Sequence, residues 1–308
     1  MGALVESENY MQFTKPAELH KAINTLRGLV AGINADAGAS SSEIAELIHW
    51  CELHTGLRSR HPFSELLPIV ERACEDGVVT SEEAKDILWL CGNFTDSSAY
   101  YDATTSSIQF LAGLIHGIMA DGDLSDQEVN LLSAWINAND FLAGVYPFDE
   151  IHSLICDVLS DRVITQDERE QLMGLFGEII DFTSSYNLVE TDFTKLREKY
   201  SISGICAVCP KISFKDKKFC FTGEFRQGSR AEAVGSVVKL GGVSRSAVSK
   251  KLDYLVVGNA GNPCWAYACY GRKIEETIAL RKEGARIAIV NEADFWDAVE
   301  DANAGLIN

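Results

Sequence analysis

The chain has 308 residues, 46% hydrophobic and 23% charged, which is apolar material for two domains of ordinary size and excludes intrinsic disorder. A formal net charge of −18 excludes a protein that coats nucleic acid over its whole surface, because phosphate binding needs clustered Lys and Arg. No apolar run reaches the ~18–20 residues of a membrane span, and the first residues lack a basic n-region and an apolar h-region, so a cytoplasmic protein is expected.

The first elements are helical. Leu19, Ile23, Leu26, Val30 and Ile33 recur at steps of three and four, predicting one apolar stripe on a helix opened by Pro16. Ile44, Leu47, Ile48 and Cys51 predict a second helix, Phe63, Leu66, Val70 and Cys74 a third, and Ala84, Ile87, Leu88 and Cys91 a fourth. Shifted by 85 residues, the same region matches itself without gaps. Leu26, Gly28, Gly32 and Asp36 return as Leu111, Gly113, Gly117 and Asp121, while Trp50, Pro62 and Phe63 return as Trp135, Pro147 and Phe148. A helical unit has been duplicated, with copies over about 10–95 and 96–183 of an all-α region 1–185. Such stripes are core-forming and carry no cofactor box. Most of the nine cysteines stand singly in apolar runs (Cys51, Cys74, Cys91, Cys156, Cys220) and read as reduced core thiols.

A smaller pattern occurs four times: Asp36–Ser40–Glu43, Asp76–Thr80–Glu83, Asp121–Ser125–Glu128 and Asp161–Thr165–Glu168. Ser/Thr-x-x-Glu is a capping box, in which the hydroxyl and the carboxylate each accept from a backbone N–H at a helix start. The competing reading is a metal loop. Asp121, Asp123 and Glu128 are its candidate ligands, but the Gly at the sixth position and the bidentate Glu at the twelfth position of an EF-hand are missing. Capping is the expectation, with no metal and no cofactor. The phrase Ala120–Glu128 resembles the helical TerB-like modules of bacterial tellurite-resistance and co-chaperone proteins, in two copies over about 16–180. That resemblance implies a protein-interaction or metal-binding unit.

From about Tyr186 to Pro210 the helical period fades, and 186–210 reads as a linker. Charge changes sign across it. Residues 205–308 hold 15 basic against 12 acidic side chains, a net of +3, whereas the other 204 hold 12 against 33, a net of −21. Anion binding is therefore expected in the second part. Cys206 and Cys209 form a CxxC that could pair with Cys264 and Cys269 around zinc, but one CxxC with a five-residue partner spacing is a weak signal.

The basic part alternates short strands with helices. FCFTGEF from Phe219 is followed by a helix opened by Ser229-Arg230-Ala-Glu232 and ended at Gly241-Gly242. Then come Val248-Ser249-Lys250-Lys251, a strand Tyr254–Val257 ending at Gly258, a helix over about Lys273–Glu283, a strand Ile287–Val290 and a last helix with Phe295 and Trp296. This predicts a small α/β domain with a parallel sheet over 211–308. The order and spacing resemble a BRCT domain, over about 211–302, of the subgroup in bacterial NAD-dependent DNA ligases and the eukaryotic clamp loader. The resemblance implies a phosphate held by Thr222, Gly223, Arg230 and Lys273.

The chemistry of those residues agrees. A hydroxyl and a bare Gly N–H at a strand end, beside two helix N-termini, make an anion nest. Arg230 adds a fork and Lys273 a point charge for a terminal phosphate. The bland alternative is a strand–helix turn with a solvated Arg230. Lys250 and Lys251 read as a solvated turn or as contacts to a DNA backbone, and Trp265 as a base-stacking or packing residue. Walker, nucleophile-elbow, HExxH and ligase Lys-x-Asp-Gly motifs are missing. The expected function is a non-enzymatic DNA-binding adaptor, gripping a 5′-phosphate at an end, nick or gap while the acidic tandem docks an unidentified protein. The alternative is a phosphoprotein-binding scaffold using the same pocket.

Overall fold

The computed structural model describes residues 19–35, 39–95, 102–199, 206–208, 210–258 and 272–306. Pro16, Asp36, Gly38, Cys209, Cys264, Trp265 and Cys269 lie outside the described residues, and with them the zinc and base-stacking expectations. The region before the sheet is mostly helical, and a four-stranded parallel sheet follows, as the sequence predicts. Two compact units form: the residues up to Trp135 with Met173–Leu196, and Ile136–Leu172 with the residues from Arg197 on.

The duplication is visible element by element. Helices α1 (19–33), α2 (Ser41–Leu53), α3 (Phe63–Ala73) and α4 (Ser81–Thr95) are followed by α5 (Ala103–Ile118), α6 (Asp126–Ala138), α7 (Phe148–Val158) and α8 (Gln166–Phe176). The starts of α2, α3 and α4 recur 85 residues on at α6, α7 and α8, as does the 3-10 turn Thr55–Leu57 at Asp140–Leu142. In the first copy the stripe residues Ile23, Leu26, Val30, Leu47, Phe63, Leu66, Val70, Ile87 and Cys91 form one core. Burial pushes the Cys51 and Cys91 thiols up to about 12 and Cys74 to about 11, so these are inert packing groups. Cys156 corrects the core assignment. It is exposed on α7, because Ile155 and Val158 take the inward positions beside it.

The glycines shared by the copies have a mechanical reason. A Cβ on Gly113 would lie 2.0 Å from the Thr25 carbonyl oxygen, and one on Gly28 would lie 2.1 Å from that of Phe110. Gly32 and Gly117 meet in the same way: a Cβ on either would lie within 3 Å of the other's Cα. Helices α1 and α5 thus touch backbone to backbone, residue i beside residue i+85. Asn24 donates to its own counterpart, Gln109, at 2.8 Å. This is the self-complementary pairing of a two-fold interface, built inside one chain.

Two structural features were not read from the sequence. Helix α9 (Glu190–Lys199) forms inside the stretch taken as linker, held by Phe193, which is buried and packs on Phe182 at 5.2 Å. Just before it, Glu46 on α2 is fully buried and accepts hydrogen bonds from His116 Nε2, Ser185 Oγ and the backbone amides of Tyr186 and Asn187.

In the second unit, strands β1 (Lys218–Thr222), β2 (Val243–Arg245), β3 (Tyr254–Val257) and β4 (Ala288–Asn291) lie in the order β2-β1-β3-β4, all parallel. The short, exposed edge strand β2 was not anticipated, and β4 begins one residue later than expected. Alternation along the strands divides the core in two. Phe219, Phe221, Tyr254, Val256 and Val290 face α10 (Arg230–Lys239) and α12 (Glu292–Asn303), packing on Ala233, Val237 and Phe295. Cys220, Leu255, Val257 and Ile289 face the other way, onto Ile274 of α11 (Arg272–Lys282). The Ala207 amide donates to Ile289 at 2.8 Å and covers part of the outer edge of β4.

Arg281, at the end of α11, is wholly buried and forms a two-pronged pair with Glu150 at 3.0 and 2.9 Å. It also donates to Asp149, to the Gly144 carbonyl and to that of Ile287. The α/β part and the segment Gly144–Glu150 are locked by one guanidinium whose donors are met on every side.

Candidate phosphate-binding site

The strand order makes a switch point in the sheet. From β1 the chain crosses to β2 through α10 on one face, and from β3 to β4 through α11 on the opposite face. The carboxyl ends of β1 and β3 are therefore a topological switch point, where open α/β sheets leave a crevice. Thr222 ends β1 there, and its carbonyl accepts the Gly258 amide at 3.0 Å from the end of β3.

The structure brings the four residues implied for the phosphate to this point. Arg230 Nη2 donates to the Gly223 carbonyl at 3.0 Å, and Lys273 Nζ donates to the Phe221 carbonyl at 3.0 Å. A guanidinium from α10 and an ammonium from α11 thus rest on the carbonyls that flank Thr222, one from each side of the sheet. Each uses one or a few of its donors there, since Lys273 also reaches Cys220 Sγ at 3.4 Å. Gly223 turns the chain out of the strand with φ +74°, a conformation suited to glycine, and is exposed together with Arg230.

One expectation about the nest changes. Of the two helix N-termini, that of α10 is closed by its own residues. Ser229 Oγ accepts the Glu232 amide at 3.2 Å, and the Glu232 carboxylate returns to the Ser229 amide at 2.6 Å. The bond from the Ser229 amide, and after it one from the Ser229 side chain, hold the Glu232 carboxyl below the usual range. The start of α10 therefore carries its own anion, leaving Arg230, Lys273 and the Gly223 turn as the cationic and amide-bearing features. This was legible in Ser229-x-x-Glu232, which repeats the pattern of the helical part.

Lys250 and Lys251 stand away from this constellation. Lys250 pairs with Glu283 at 2.9 Å on the surface, and Lys251 is exposed. The acidic turns show capping. Glu128 accepts from the Ser125 amide at 2.7 Å and Ser125 Oγ from the Glu128 amide, while Asp121 and Asp123 accept the amides of Asp123 and Leu124. The same reciprocal bonds join Ser40 to Glu43, Thr80 to Glu83, and Thr165 to Glu168. Among the described residues no group of three or more His, Cys, Asp or Glu side chains is placed to hold a metal ion.

Comparison with known proteins bears on the sheet-forming part. Residues 211–298 match the family model for the BRCA1 C Terminus (BRCT) domain, and this segment is a BRCT domain. A DNA ligase of Treponema pallidum (strain Nichols) is 26% identical over 117 residues, covering 38% of this chain and 13% of the ligase. A DNA ligase of Borrelia recurrentis (strain A1) is 37% identical over 68 residues, covering 22% of this chain and 10% of that protein. The chain thus spans about a tenth of the length of these relatives. No solved structure matches it significantly. No helix among the described residues is long and apolar enough to cross a membrane.

Proposed function

We propose that this chain is a cytoplasmic, non-enzymatic adaptor that binds DNA carrying a 5′-phosphate at an end, nick or gap. The BRCT domain grips the phosphate and the duplicated, TerB-like helical part docks a protein partner. The observation that carries the reading is the convergence of Arg230 and Lys273 on the carbonyls either side of Thr222, at the switch point between β1 and β3. Two cations 43 residues apart in sequence, delivered from opposite faces of one sheet, supply a fork and a point charge to a single anion. Similarity to segments of two DNA ligases favours a DNA phosphate over a phosphopeptide. The division into 1–185, a linker 186–210 and 211–308 belongs to the same proposal, with 1–185 the partner-binding part.

The direct test is binding of the full chain to one duplex made with a 5′-phosphate and with a 5′-hydroxyl. The phosphorylated form is expected to bind at least tenfold more tightly, and a phosphoserine peptide to compete poorly. Equal affinity for both ends would remove the DNA-end reading. Strong competition by the peptide would move the function to a phosphoprotein scaffold.

A further inference from the structure

The loop between β1 and α10 has no helix or strand beyond a single bridge residue, Glu224, yet it carries Gly223 and leads into Arg230. At both ends of its free stretch stand glycines in the left-handed region, Gly223 with φ +74° and Gly228 with φ +79°. Glycine reaches positive φ without steric cost, so at these two positions the loop takes little rigidity from its own backbone. It is held from outside. Glu292, the first residue of α12, is 2% exposed, and Oε1 accepts the amides of Arg226 at 2.9 Å and Gln227 at 3.2 Å. Oε2 accepts from the Arg226 amide as well, at 3.1 Å. A carboxylate is costly to bury, and here that cost is offset by charge-assisted bonds to the middle of the loop. At the end of β3, Gly258 lies so close to the loop that a Cβ would sit 2.3 Å from the Glu224 carbonyl oxygen. Trp296, also on α12, closes on Gly228, where a Cβ would meet its ring at 3.0 Å.

We infer that Glu292 is a positioning residue of the phosphate site: by clamping the Arg226 and Gln227 amides it fixes the loop in the shape that presents Gly223 and Arg230 to a terminal phosphate. Gly258, at the end of β3, adds a second close contact to the same loop. The inference rests on the phosphate reading above and names residues outside the four that would touch the ligand. It has a distinctive consequence. Glu292 acts on the geometry of one anion contact, so its loss lowers the preference for a phosphate-bearing end without weakening sequence-independent attraction to the duplex.

The experiment measures the ratio of dissociation constants for 5′-hydroxyl and 5′-phosphate duplexes in the full chain, in Glu292→Gln and in Glu292→Ala. Glutamine keeps the size and one acceptor oxygen, alanine neither. The expected ratio falls at least threefold in Glu292→Gln and further in Glu292→Ala, with affinity for the hydroxyl duplex within twofold of the parent. Gly258→Ala, whose Cβ would press on the Glu224 carbonyl, is expected to lower the ratio as well where it folds, and the near-isosteric Glu292→Gln guards against an alanine variant that unfolds. A preference present in the parent and unchanged in folded Glu292→Gln and Gly258→Ala would overturn the clamp alone. A parent without any preference would overturn the phosphate reading and the clamp with it.

Discussion

The helical region and the α/β region use charge in opposite ways. In the helical region the repeated acidic motif is consumed by the fold: Glu43, Glu83, Glu128 and Glu168 each return to the backbone amide of the residue that caps their helix. In the α/β region Arg230 and Lys273 each rest on a single backbone carbonyl and stand at the switch point made by the strand order. The difference teaches that repetition of a charged pattern marks architecture here, whereas the α/β region brings a pair of cations from distant positions to one strand end, where the proposed site lies. The same Ser-x-x-Glu box at the start of α10 obeys the first rule even beside the site, and occupies a helix N-terminus that would otherwise be open to an anion.

The largest expected effect tests whether the helical region is held by backbone contact and not by charge. Gly113→Val places a branched side chain where even a Cβ would be 2.0 Å from a carbonyl oxygen of α1, and should cost about 5 kcal/mol or prevent folding. Denaturant unfolding of the purified variant checks this, and a variant of parental stability would dissolve the paired-copy account. Next is Arg281→Ala, which leaves Asp149 and Glu150 buried without their cation and should cost about 3–5 kcal/mol in the same assay. A loss under about 1 kcal/mol would mean that the guanidinium is solvated in solution.

The sequence disclosed most of the fold because its cores are periodic. Stripes of three and four placed α1 to α8, and the 85-residue register placed their duplicates. What it hid depends on single residues. Among the described side chains of α9 only Phe193 is buried, too little to leave a period, and β2 is a three-residue edge with an exposed surface. At the site, Thr222, Gly223, Arg230 and Lys273 were legible as a spaced set. Glu292 was legible only as part of a helix start, since its target amides lie 66 and 65 residues earlier. Glu46 and Arg281 were invisible for the same reason: buried charges are recognised by partners that only folding supplies.

A smaller effect concerns acid. Burial alone would raise the Glu46 carboxyl, but hydrogen bonds from His116, Ser185 and the Asn187 and Tyr186 amides outweigh it and bring the group down to about 2 from 4.5. A depressed folded value means that its stabilisation is complete above about 4.5 and is lost as pH falls from there toward 2, on the order of 3 kcal/mol in all. In Glu46→Gln that part of the acid sensitivity should vanish, and the variant should be less stable than the parent at pH 7. Stability profiles of parent and variant that run parallel from pH 5 to 2 would refute the buried, ionised carboxylate. Smallest of all is Ser125→Ala, which removes one cap and should cost about 0.5–2 kcal/mol, with no response to calcium. A melting temperature raised by calcium in the parent, and no longer so in Asp123→Ala, would replace the cap by a metal loop.

The central claim is that one terminal phosphate is shared by Arg230 and Lys273, and the measurement that meets it most directly is end preference in the two single variants. Each charge-assisted contact is worth roughly 1.5–3 kcal/mol, on the order of ten- to a hundredfold in affinity. Arg230→Ala and Lys273→Ala should therefore each erase most of the preference for a 5′-phosphate over a 5′-hydroxyl duplex. Lys250→Ala, already paired with Glu283, should instead weaken both duplexes alike or leave them unchanged. A preference that survives Arg230→Ala and Lys273→Ala intact would contradict the account.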